Sequence, residues 1–113
     1  MNYIGKAQFS LTIVAPAELE AEGDRFFKLH AEWMEKTHYR EGDKALLQYN
    51  VAKSFDSDGK IIFVLTEVYE TVAGIEDHRK QAPHTEFFED FRKWRSQCQV
   101  IGGEDEVVIQ SLW

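Results

Sequence analysis

The stretch that decides the fold runs from Ile61 to Phe91, IIFVLTEVYETVAGIEDHRKQAPHTEFFEDF. In its first part, Ile61 to Tyr69, apolar side chains occupy both alternating faces: Ile61, Phe63, Leu65 and Tyr69 on one, Ile62, Val64 and Val68 on the other. A strand of that kind is covered on both sides. Glu67 interrupts the first face, and a carboxylate there finds a partner, stays beside a wet cavity, or takes up a proton. Beyond the strand, Thr71 is placed to cap a short helix from Val72 to about Lys80, with Ile75 and His78 on one side. Pro83 suits the first turn of a second helical segment. There His84, Phe87, Phe88, Phe91, Trp94 and Cys98 make one continuous apolar stripe that His84 opens.

Working outward, Ala7 to Ala15 (AQFSLTIVA) alternates as a strand, with Phe9, Leu11 and Ile13 on one face, and Pro16 stops it. A helix follows, with Phe26, Leu29, Trp33 and Met34 at helical spacing to about Tyr39 and a start obscured by Gly23. His30 falls on its buried stripe. His38 sits in the last turn, where the helix dipole favours the cation. Ala45 to Phe55 reads as a second strand with Leu47, Tyr49 and Val51 on one face, and Asp56-Ser57-Asp58-Gly59 reads as a hairpin turn into Ile61. Gly102, Gly103 and the acidic run Glu104-Asp105-Glu106 read as a loop, and Val107 to Trp113 as a last strand.

The order β-α-β-β-α-β predicts an α+β, ferredoxin-like fold over a single domain, residues 1–113: one four-stranded antiparallel sheet with helices on one face. That leaves the second face bare. Ile62, Val64, Val14 and Leu46 lie there by alternation, so a homodimer with facing sheets is expected.

Composition narrows the partners. A net charge of −7 and no basic stripe argue against nucleic acid, which leaves a small-molecule ligand or another protein. The lone Cys98 rules out an intramolecular disulfide and agrees with a reducing compartment. No apolar run reaches the roughly 20 residues that span a bilayer. The polar residues Gln8, Ser10 and Thr12 break up the N-terminal segment, so no signal peptide and no membrane partner are expected, and the protein reads as cytoplasmic.

Glu67-Val68-Tyr69-Glu70-Thr71, then His78, then Pro83-His84 resembles the antibiotic biosynthesis monooxygenase-like family of the dimeric α+β barrel superfamily. Leu46 to Val51 and the hairpin match that family in position, so the resemblance covers most of the chain. It implies a homodimer, with a small cavity between helices and sheet in each subunit. Members include cofactor-free oxygenases of phenols and quinols, haem-degrading enzymes and isomerases. The interval from His78 to His84 is one residue longer than the commonest family pattern. Phe9, Tyr69 and Glu89 stand where the haem-degrading branch has its own residues, which disfavours haem.

The expected function is therefore a cofactor-independent monooxygenase of a small electron-rich aromatic, a quinol or polyphenol. A non-catalytic ligand-binding or accessory protein and an isomerase are the alternatives. Catalytic candidates are His84, His78 and Glu67. His84 at a helix N-terminus is expected to be a neutral imidazole, the form a general base requires. His78 reads as helix surface or cavity rim. Glu67 could orient a histidine or a substrate hydroxyl, or serve structure by pairing with Arg79 or capping an amide. Tyr69, His30, Trp33, Phe87, Phe88 and Phe91 are expected to bind substrate, the aromatic row being first of all core. No close ligand spacing such as H-E-x-x-H is present, so neither metal nor other cofactor is expected.

Overall fold

The computed structural model describes residues 2–113. Its elements are β1 (Ala7–Ala15), α1 (Glu20–Thr37), β2 (Leu46–Phe55), β3 (Ile61–Tyr69), α2 (Val72–Gln81), α3 (Phe88–Arg95) and β4 (Gln99–Val107), with single 3-10 turns at Ala17–Leu19 and Ala82–His84. The strands form one antiparallel sheet in the order β2-β3-β1-β4, the ferredoxin-like arrangement.

Alternation along β3 sends Ile61, Phe63 and Leu65 into the main core, where they meet Phe26 and Phe27 of α1 and Trp94 of α3. Tyr69 and Ile75 form a second, smaller core with Ala7, between β3 and α2. Gly23 marks the point where α1 crosses the sheet. A Cβ there would stand 2.6 Å from the Phe63 ring, so only glycine allows the approach. The Thr71 hydroxyl accepts from the Ala73 amide and caps α2, and Asp56 Oδ1 accepts from the amides of Asp58 and Lys60 to close the hairpin.

Four sequence expectations change. The last strand is Gln99–Val107 and not Val107 to Trp113; Gly102 and Gly103 lie inside it, at φ 94° and 93°, as a bulge opposite the step from Phe9 to Leu11. The acidic run is tolerated because β4 is an edge strand, and its side chains find local partners: Glu106 accepts from Gln8 and Ser10, and Asp105 pairs with Arg79 at 2.6 Å. The helix expected from Pro83 starts only at Phe88, because the Ala82 carbonyl accepts from both the amide and the hydroxyl of Thr85 and closes a separate turn. α1 ends at Thr37, two residues short of Tyr39, with His38 already extended. Leu46 packs on the helix side with Tyr69 and Ile75, because β2 skips Leu47 in its register with β3 and so changes parity.

Candidate functional site

Three elements converge on Glu67. β3 places its carboxylate on the helix-facing side, fully buried, where the Tyr69 hydroxyl donates to Oε1 at 2.5 Å. α1 contributes His30, whose Nε2 is 4.0 Å from Oε2, and α2 contributes His78, whose Nδ1 is 3.7 Å from Oε1. Oε2 has no hydrogen-bond partner among the described residues. An orphan oxygen of this kind costs on the order of 1–3 kcal/mol, more if charged, and calls for an explanation beyond packing. The Arg79 pairing expected for Glu67 does not occur, since that guanidinium is held by Asp105 and the Gly103 carbonyl.

Two further groups extend the cluster. His38 Nε2 lies 2.9 Å from His78 Nδ1, and the Tyr49 hydroxyl lies 2.8 Å from His30 Nδ1. The bonding around His38 fixes a tautomer. Thr37 Oγ1 donates to the Trp33 carbonyl, so it accepts from His38 Nδ1–H; neutral His38 then carries its lone pair on Nε2 and accepts from His78 Nδ1–H. His78 is left with a free lone pair on Nε2, which has no protein partner among the described residues.

Burial sets the charges. It lowers His78 to a pKa of about 3, with His30 and His38 adding to the effect, and it lowers His30 to about 4, with His38 adding. His38 is lowered by burial as well, against the pull of Asp77, which overturns the cation expected from the helix dipole. Burial raises Glu67 to about 7, opposed by the Tyr69 hydrogen bond. Burial, with the Glu67 charge second, pushes both Tyr49 and Tyr69 up, so both remain phenols. At neutral pH the site holds neutral imidazoles around a half-titrated carboxyl.

His30 and His78 form one wall of a cavity of about 90 Å³. Trp33, Phe87, Phe88 and Phe91 line it as expected, joined by Phe9 and Leu11 of β1. Glu67 and Tyr69 stand behind the imidazoles and do not line it. His84 is exposed, in the 3-10 turn and outside the cavity lining. It was placed on a helical stripe that the chain does not form there, so the buried histidine on this side is His78. An open groove of about 290 Å³ between the end of α1 and β2 reaches the outer members of the cluster, His38 and Tyr49. Sequence reading missed both. Tyr49 had a usable signal in its register, since it stands directly opposite Glu67 across β2 and β3.

No protein-family model matches the chain, and no curated protein matches it in sequence. Among solved structures, the chain is similar to PA3566 from Pseudomonas aeruginosa, at 19% identity with a TM-score of 0.57, over 97% of this chain and 98% of that one. At that identity the likeness is one of fold.

Proposed function

We propose that this protein is a cofactor-independent monooxygenase of a small, single-ring, electron-rich aromatic such as a quinol, with His78 as the base. The observation that carries the reading is the unpartnered Nε2 lone pair of a buried, neutral His78 in the wall of an aromatic-lined cavity. The cavity is well below the roughly 300–1,000 Å³ of pockets for drug-sized ligands, which favours one ring over a fused system. His78 takes the substrate hydroxyl proton on Nε2. The Glu67 carboxylate, 3.7 Å from the opposite nitrogen, stabilises the imidazolium that results. A quinol supplies all four electrons that dioxygen needs: one oxygen atom enters the ring, the other leaves as water, and a hydroxyquinone remains.

Oxygen uptake with a panel of quinols and phenols tests this. His78→Ala is expected to lower kcat by about 10²-fold or more, with His84→Ala close to wild type. Because Glu67 must be ionised to stabilise the imidazolium, kcat/KM is expected to rise with pH through about 7, and Glu67→Gln to abolish that rise. Ligand binding without oxygen uptake would point to the accessory-protein role instead.

The reading includes a homodimer located in the cytoplasm. Ile62 and Val64 are only half-buried on the sheet face away from the core, and Ile109, Leu112 and Trp113 of the C-terminal segment are exposed, which supports pairing with a second copy. The lone cysteine and the absence of any described helix long and apolar enough to cross a membrane accord with the location.

A further inference from the structure

We propose that His30, Glu67 and His78 form a three-donor binding site for a divalent transition-metal ion. This goes beyond the oxygenase reading and does not depend on it. One donor atom from each of the three residues lies within 4.8 Å of the other two, although they come from α1, β3 and α2. The absence of a short ligand motif along the chain therefore does not bear on the site; the fold assembles it.

The distances suit an ion. Metal–nitrogen and metal–oxygen bonds of about 2.0–2.2 Å place neighbouring donors about 3 to 3.5 Å apart. Here the carboxylate oxygens stand 3.7 Å and 4.0 Å from His78 Nδ1 and His30 Nε2. Side-chain rotations that draw these three donors together close the set around one centre, with the remaining coordination positions left to water. His78 Nδ1 then exchanges its hydrogen bond to His38 for a metal bond, and its proton moves to Nε2.

Two observations beyond clustering point to a cation. Glu67 Oε2 is buried with no protein partner among the described residues and lies 4.0 Å from His30 Nε2, so its lone pairs are open to a cation. The supporting bonds are also those of a metal site: the Tyr49 hydroxyl is placed to accept from His30 Nδ1–H, which leaves Nε2 as the ligand atom, and the Tyr69 hydroxyl holds the carboxylate. Imidazole donors with one carboxylate select ions such as zinc, iron(II), cobalt, nickel or copper over magnesium or calcium. The groove that reaches His38 and Tyr49 gives an ion a way in.

An ion seated there uses His78, the base of the oxygenase reading, so the two uses exclude one another at any moment. The test therefore reads metal alone. Protein without an affinity tag is stripped with a chelator and titrated with zinc by calorimetry and with cobalt(II) by visible absorption. One ion per chain and visible cobalt bands of a low-coordinate site are expected. His78→Ala and Glu67→Gln should each weaken binding by at least about tenfold, and Tyr49→Phe by about 10–100-fold, as loss of a supporting partner does. His84→Ala should bind as wild type, and magnesium should not compete. Substoichiometric zinc, a spectrum of fully hydrated cobalt, or equal affinity in wild type and Glu67→Gln would overturn the site. If His78→Ala does not fold, Glu67→Gln and Tyr49→Phe, which keep side-chain shape, decide the matter. Absence of oxygen uptake by the metal-free protein, with metal binding intact, would refute the oxygenase reading alone.

Discussion

Glu67 is a residue through which pH acts on stability. Its folded-state pKa is raised from 4.5 to about 7, so the folded chain holds a proton more tightly than the unfolded one. The stability from that proton is fully present below 4.5 and is lost as pH rises through about 7. At about 1.4 kcal/mol per pH unit the loss is about 3 kcal/mol across that window. His30 and His78 work in the opposite sense. Their pKa values fall from 6.5 to about 4 and about 3, so their contribution is present above 6.5 and disappears as pH drops through those values. Glu67→Gln isolates the carboxyl: relative to wild type, the variant should gain about 3 kcal/mol between pH 4.5 and 7.5. Urea unfolding of both proteins at the two pH values measures this, and parallel curves would show that Glu67 ionises as it does in water.

At the scale of elements, the site depends on how closely α2 approaches β3. Gly74 in the first turn of α2 lies against Tyr69: a Cβ there would stand 2.4 Å from the Tyr69 ring and 2.9 Å from the Lys44 carbonyl. The carbonyl is backbone and the ring is fully buried, so neither yields easily. Gly74→Ala is expected to cost about 1–3 kcal/mol by overpacking, more than the roughly 1 kcal/mol that alanine gains in a helix. It should also move α2 outward, drawing His78 from His38 and from Glu67. Chemical denaturation measures the first effect and histidine proton resonances the second; an unchanged midpoint would show that α2 has room to spare.

At the scale of the whole molecule, the sheet is covered by helices on the face that carries Glu67, and its other face bears half-buried Ile62 and Val64. Sedimentation at micromolar concentration should give a dimer of the 13.2 kDa chain, and Val64→Lys should shift it to monomer or impair folding. A wild-type monomer at that concentration would mean that this face stays wet.

The sequence by itself determined the element order, β3 to the residue, the hairpin, the α2 cap and Glu67 as the anomaly on a buried face. Each is written in local physics: alternation at period two, a glycine with positive φ, a hydroxyl one position before a helix, a charge among apolar neighbours. Trp33 and the phenylalanines of the cavity wall were legible for the same reason. Only the tertiary structure decided which histidine is buried. His84 and His78 both sit among helical spacings, but a turn closed at Thr85 leaves one in solvent, while the approach of α2 to β3 buries the other against Glu67. The Gly102-Gly103 bulge looked like a loop because a strand that spends one residue out of register shows no continuous alternation. His38 joined the site through a contact 40 residues away along the chain, a separation over which no periodicity carries information, whereas Tyr49 was readable only through the hairpin register that sets it opposite Glu67.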